Sequence, residues 1–200
     1  FQPSWNQRGN SYSQLGRLQD AAESYRESIN LKPEDVDSWH YLASALGDSG
    51  EYMEAIKAFT EAIKLEPAHY RSYFGRGICY DAVEDYEKAI LDYDSALMFK
   101  SDMPDIWYAK ADALYNTGKA KESLKCYSRV LKLIPSDYQC MNDYGMTLLE
   151  LGRVTDAEKQ FRNAIGANPE WADGYYSLAM VYTRYREYGM ASELLKKSFT

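Results

Sequence analysis

The stretch W-H-Y-L-A-S-A-L-G-D-S-G-E-Y-M-E-A-I-K-A-F-T-E-A-I-K-L-E-P, from Trp39 to Pro67, carries two helical stripes in tandem. Trp39, Ala43 and Leu46 follow one another by steps of four and three; Ala55, Phe59 and Ala62 do the same. Such steps stack side chains on one face of an α-helix. Gly50 stands between the stripes, where a left-handed residue commonly closes a helix. Pro67 follows the second stripe and cannot continue it. The pattern predicts a helix–turn–helix hairpin. Its small residues let the two helices approach, and its large ones fill the space beside them.

Moving outward, the same arrangement recurs every 34 residues. The large residue of the first stripe runs Trp5, Trp39, Tyr73, Trp107, Met141, Tyr175, and the small one runs Gly9, Ala43, Gly77, Ala111, Gly145, Ala179. The second stripe gives Ala21, Ala55, Ala89, Ser123, Ala157, Ala191, followed by Tyr25, Phe59, Tyr93, Tyr127, Phe161, Leu195. A turn glycine recurs as Gly16, Gly50, Gly118 and Gly152, and a closing proline as Pro33, Pro67, Pro135 and Pro169. In the third unit the proline moves to Pro104, where it can open the next helix. No insertion or deletion breaks the period. The units are 2–35, 36–69, 70–103, 104–137, 138–171 and a truncated 172–200. Units of this kind bury their apolar faces only by stacking on their neighbours.

This pattern resembles the tetratricopeptide repeat family, whose signature is Trp, Leu, Gly, Tyr, Ala, Phe, Ala, Pro at fixed places in a 34-residue unit. The second unit matches closely, through Trp39, Leu42, Ala43, Leu46, Ala55, Phe59, Ala62 and Pro67. The resemblance covers the whole chain. It implies a single all-α domain over 1–200, a right-handed superhelical solenoid of antiparallel helix pairs, with the first helix of each pair lining a concave surface. Where the family prefers Leu, three units carry Arg8, Arg76 and Lys110. Their aliphatic stems are expected to cover the helix pair while the charged heads reach water or an acid.

Composition narrows the function. The 200 residues are 46% hydrophobic and carry a formal net charge of -7. A net negative chain is poorly suited to a phosphate backbone, so nucleic acid is disfavoured. No apolar run is long enough for a transmembrane helix. Cys79, Cys126 and Cys140 are odd in number and form no C-x-x-C pair, which favours buried thiols in a reducing, cytoplasmic compartment. The chain begins at Phe1, so a piece of a longer or processed protein is expected. With only His40 and His69, no H-E-x-x-H and no paired cysteines, neither a metal nor another cofactor is expected. The short G-R-G at 75–77 belongs in phase to a helix, not to a phosphate loop. No residue set suggests an enzyme.

The resemblance also implies which residues face the groove: Asn6, His40, Phe74, Tyr108, Asn142 and Tyr176 at one position of the first helix, and Asn10, Ser44, Ile78, Asp112, Met146 and Met180 one turn on. Asp48, Asp81, Tyr115, Asn116, Glu150 and Arg184 lie further along. Amides offer a donor and an acceptor to an extended peptide backbone, and aromatics supply anchoring surface. A protein or peptide partner is therefore expected. One variant of the family grips a C-terminal carboxylate with convergent Lys, Asn and Arg. The matching places here hold Asn6, Asn10, Tyr41, Arg71 and Gly75, which lack that positive charge, so this specificity is not expected. Acidic residues concentrate in units two and three, so a partner with basic and apolar residues is expected over the N-terminal half, near Asp48 and Asp81. Unit four holds Lys110, Lys119, Lys121, Lys125, Arg129 and Lys132; most of them fall on the inter-helix turn and second helix and read as solvated convex residues. Two alternatives remain. Leu194, Leu195 and Phe199, near the chain end, could join copies into a homo-oligomer, and the solenoid could be the targeting arm of a larger enzyme or complex.

Overall fold

A computed structural model describes residues 4–199. Within them the chain is all-α, built from six helix pairs: α1 (Trp5–Gln14) with α2 (Leu18–Leu31), α3 (Val36–Asp48) with α4 (Tyr52–Leu65), α5 (Tyr70–Ala82) with α6 (Tyr86–Phe99), α7 (Pro104–Asn116) with α8 (Ala120–Leu133), α9 (Tyr138–Glu150) with α10 (Val154–Ala167), and α11 (Ala172–Arg184) with α12 (Tyr188–Lys197). The 34-residue register thus becomes one pair per period. Pro104 is the first residue of α7, the place its fixed φ and missing N–H suit best. Asp35 and Asp137 cap α3 and α9 by accepting the backbone N–H of Ser38 and Cys140, at 3.2 and 2.9 Å. No helix among the described residues is long and apolar enough to cross a membrane.

The chain divides into two compact units that meet at residues 106 and 107, within α7. In the first, each helix from α1 to α6 packs on the next within its pair, and α2 on α3 and α4 on α5 join the pairs. The first helices also touch one another directly, α1 on α3 and α3 on α5, and so form a layer of their own. Its core gathers Ala21, Tyr25, Leu42, Ala43, Ala55 and Phe59. In the second unit α8 to α12 pack in succession and α9 touches α11. Leu148, Phe161, Leu178, Val181 and Tyr182 form its core.

The aromatic of the second stripe fixes how close each pair can come. A Cβ placed on Gly145 would fall 2.6 Å from Cε1 of Phe161, a fully buried ring; Gly9 meets Tyr25 and Gly77 meets Tyr93 in the same way. The ring occupies the volume that a side chain on the first helix would need. Overpacking of this kind typically costs about 1–3 kcal/mol. Gly145→Ala is therefore expected to lower the unfolding free energy by about that amount in urea, with an unchanged helical spectrum at the outset.

The inter-helix turn makes a second strict demand. Gly16, Gly50, Gly118 and Gly152 have φ between 71° and 83°. The structure completes the series at the same 34-residue spacing with Glu84 (φ 60°) and Arg186 (φ 61°), where no glycine marks the turn. A left-handed residue with a Cβ costs roughly 1–2 kcal/mol, part of which glycine returns through its larger unfolded-state entropy. Glu84→Gly should accordingly raise stability by up to about 1 kcal/mol in thermal or urea unfolding; a loss would show that Glu84 makes a compensating contact.

The basic residues standing where Leu is expected behave as their stems suggest. Arg8 lies over the Trp5 ring at 5.2 Å, Arg76 over Tyr73 at 5.7 Å and Lys110 over Trp107 at 5.7 Å. Arg76 goes further. Its guanidinium binds buried Asp92 through two 2.7 Å hydrogen bonds and Thr60 through a third at 3.0 Å, a bidentate pair that ties α5 to α6 and α4.

Candidate functional site

The first-helix layer of the first unit carries Asn6, Asn10, His40, Ser44 and Phe74. Asn6 is held in a polar joint between repeats. Its amide nitrogen donates to Asp35 Oδ2 at 3.0 Å, and its Oδ1 lies 3.0 Å from the Ser38 hydroxyl, which is also 2.9 Å from Ser28 Oγ. Burial pushes the Asp35 carboxyl up, but the hydrogen bonds from Ser38 and Asn6 outweigh it and hold the group below its ordinary value. Asn10 accepts the Tyr25 hydroxyl at 2.7 Å. Ser44 folds back onto the His40 carbonyl at 3.1 Å. Phe74 packs against Tyr93, with ring centroids 6.0 Å apart. Ile78 is exposed.

His40 occupies the next joint, at the place in its repeat that Asn6 holds in the first. It lies 3.2 Å from Ser72 Oγ, which is itself 2.7 Å from His69 Nδ1, and its ring packs edge-on to His69 and beside Phe59. Burial lowers its pKa to about 4, helped by the electrostatic influence of the neighbouring His69 and Arg71. A folded-state value below the ordinary 6.5 means that the unfolded chain takes up the proton first. The stability this neutral ring supports is complete above pH 6.5 and is lost as pH falls toward 4. Urea unfolding across that window should show His40→Gln losing about 2–3 kcal/mol less than the native chain between its two ends. Parallel pH curves for the two proteins would refute the assignment.

The places that a terminal-carboxylate clamp would use are shaped by packing as well as by charge. At Gly75 a Cβ would stand 2.3 Å from Cζ of Phe59, so no side chain fits there. The Tyr41 ring packs tilted beside Tyr25, with centroids 5.7 Å apart, and Arg71 bonds its neighbour Tyr70.

In the second unit, Tyr108, Asp112 and Asn142 are brought together and Tyr176 stands apart, 53% exposed on α11. The Tyr108 hydroxyl donates to Asp143 and the Tyr127 hydroxyl donates to Asp112, with the two rings edge to face at 5.7 Å. Burial, then the facing carboxylates, push both phenols up, so they stay protonated and donate. Burial also raises Asp143, against the opposing hydrogen bond from Tyr108. Asn142 donates to Asp143 at 3.4 Å, while its own Oδ1 is buried with no donor in reach. Asp112, Asp143 and Tyr127 border a cleft of about 390 Å³, lined also by Tyr115 and Asn116 of α7 and Met146 and Thr147 of α9; Tyr108 and Asn142 reach it only through their bonds to Asp143. Asp143, Met146 and Thr147 complete the cleft, though only Met146 is marked by the repeat position. In the first unit Asp81 accepts the Tyr93 hydroxyl at 2.9 Å through Oδ2, and its Oδ1 is buried without a donor.

The three cysteines are buried and form no disulfide with one another. Burial, reinforced by the charge of Asp48, pushes the Cys79 thiol up to about 11, which keeps it protonated and unreactive. At the C-terminal end Leu194 and Leu195 pack against the second core, and Phe199 is 86% exposed.

Helix pairs in strict 34-residue register, with a first-helix face of amides, acids and aromatics, define a repeat scaffold. The chain belongs to the tetratricopeptide repeat family. The "Tetratricopeptide repeat" profile matches residues 41–106, 108–170 and 142–191, and a "TPR repeat" profile matches 9–50. Both describe repeats, not a catalytic domain. The chain is similar to YrrB, described as a TPR protein with an unusual peptide-binding site, at 25% identity and a TM-score of 0.76 over 88% of this chain and 91% of that one. MamA from Desulfovibrio magneticus RS-1 shares the fold, with a TM-score of 0.79 over 82% and 93% of the two chains at 14% identity. Among sequence relatives, cleavage stimulation factor subunit 77 of Arabidopsis thaliana is 26% identical over 120 residues, 60% of this chain. The peroxisomal targeting signal receptor of Eremothecium gossypii is 24% identical over 91 residues, 46% of this chain. The matched region spans only 16% of each of these two relatives.

Proposed function

We propose that the chain is a non-enzymatic protein-interaction scaffold that takes an extended peptide on its first-helix face, with a basic side chain seated between Asp112 and Asp143. The observation that carries this is the cleft between α7 and α9, where two carboxylates and the Tyr115 ring border one opening. A lysine or arginine head would meet both acids, and its stem would lie on Tyr115 and Met146. Tyr108 and Tyr127 hold the carboxylates in place before the partner arrives, which lowers the ordering cost of binding. The donor-less oxygen of Asn142, whose amide nitrogen donates to Asp143, supports the same use, since a buried acceptor without a donor costs roughly 1–3 kcal/mol that a partner's N–H can relieve. The likeness to YrrB, described by its peptide-binding site, and to a targeting-signal receptor fits this role.

The test is fluorescence anisotropy with a short labelled peptide of Lys, Leu and Phe. Asp112→Asn combined with Asp143→Asn should weaken binding roughly tenfold or more, because a desolvated charge loses its partners. Binding should also weaken on acidification. Protonation removes the Asp143 charge, and its raised pKa places that loss at higher pH than the ordinary 3.8 of an aspartate. Unchanged affinity in the double variant, or a flat response to acid, would sink the proposal.

A further inference from the structure

A second groove, of about 910 Å³, opens in the second unit on the side of α8. Lys110, Lys121, Lys125, Arg129, Lys132 and Arg153 line it, against one acid, Glu122. Leu114, Leu124 and Cys126 form an apolar floor, and Trp107 and Tyr144 stand at its walls. The Trp107 ring is flanked by two cations, Lys110 Nζ and the Arg129 guanidinium, each 5.7 Å from its centroid.

The α8 stripe differs from the paired basic residues on α4 and α10. On α4, Lys57 and Lys64 pair with Glu54 and Glu61; on α10, Arg162 pairs with Glu158. Lys121, Lys125, Arg129 and Lys132 follow one another by four, four and three along a single helix face, and none forms an ion pair with a described residue. Like charges at these spacings repel by a few tenths of a kcal/mol per pair. The stripe therefore works against its own helix until an anionic group meets it. It does so beside an aromatic and aliphatic floor, in a chain whose net charge is -7.

We propose that this groove docks an acidic segment of a partner protein, whose carboxylates meet Lys121, Lys125 and Arg129 while an apolar side chain rests on Trp107 and Leu124. The site is separate from the acidic cleft on the first-helix face, and its charge is opposite. The mixed lining selects a peptide over a phosphate backbone: the apolar floor has no phosphate to satisfy, and the acidic remainder of the chain repels a polyanion that extends beyond the groove. An acidic peptide confines its charge to the stripe and supplies the side chain that the floor needs.

The experiment uses the 200-residue chain and anisotropy with a short labelled peptide of Glu, Asp, Leu and Phe. The variant is Lys121→Gln, Lys125→Gln, Arg129→Gln, on an exposed face where the helix is retained, checked by circular dichroism. The acidic peptide should bind the native chain saturably, lose roughly tenfold or more in affinity to the variant, and weaken as salt is raised from about 0.05 to about 0.5 M. The Lys, Leu and Phe peptide should bind variant and native chain alike, so failure at one groove is distinguishable from failure at the other. Equal affinity of the acidic peptide for both proteins, or no binding to the native chain, overturns the proposal. So does a labelled single-stranded oligonucleotide that binds more tightly with the same dependence on the three residues, which would assign the groove to nucleic acid. Sedimentation showing a native dimer that the variant dissolves would give the occupant as a second copy, and would overturn it too.

Discussion

The interaction on which the rest depends is the contact between the second-helix aromatic and the small residue facing it on the first helix. Tyr25 under Gly9, Tyr93 under Gly77 and Phe161 under Gly145 leave no room for a Cβ, so each pair closes to the distance that one ring sets. Because the ring points through the pair, its tip arrives at the first-helix face. Where the ring is tyrosine, the hydroxyl acts on that face: on Asn10 in the first repeat, Asp81 in the third and Asp112 in the fourth. Where it is phenylalanine, as at Phe59, no polar group is pinned, and the tip fills the place of a side chain at Gly75. A residue chosen for packing thus also decides which polar groups of the first-helix face are held in place.

The same coupling explains what was legible in the sequence. Helix pairing, the register and the buried small and large residues follow from period and size alone, and each recurs at the place in its repeat that the spacing predicts. The turn was legible only where glycine marks it. At Glu84 and Arg186 the backbone requirement persists without its marker, because the neighbouring helices impose the left-handed residue whatever side chain it carries. The first-helix face was legible as a set of positions and not as a set of roles. Asn6 and Asn10, one turn apart, look equivalent in the sequence, yet Asn6 spends its amide between Asp35 and Ser38 of the joint.

That joint carries a periodic signal of its own. Asn6 meets residues 29 and 32 further on, Asp35 and Ser38, and His40 meets His69 and Ser72 at the same offsets. A polar group at this place is matched by a polar cap and a small hydroxyl in the next repeat. Asp143 carries no periodic signal of this kind. It lies next to the marked position, and only the length of Tyr108 reaching across from the preceding first helix shows that it belongs to the cleft.

The basic stripe of α8 was visible as a run of lysines, and on charge alone a solvated surface explains it. The structure adds what the run could not show: the stripe borders an apolar floor with Trp107 at its edge, while the lysines of α4 are neutralised within their own helix. Compensation at three- and four-residue spacing is easily achieved on an exposed helix, and this chain achieves it on α2, α4, α6 and α10. Among the described residues Lys121, Lys125, Arg129 and Lys132 of α8 have no such partner, and they lie beside buried leucines. Asp112 of α7 and Asp143 of α9 thus lie on the first-helix face while the bases of α8 line a separate groove, so neighbouring repeats of the second unit carry opposite charges on different surfaces.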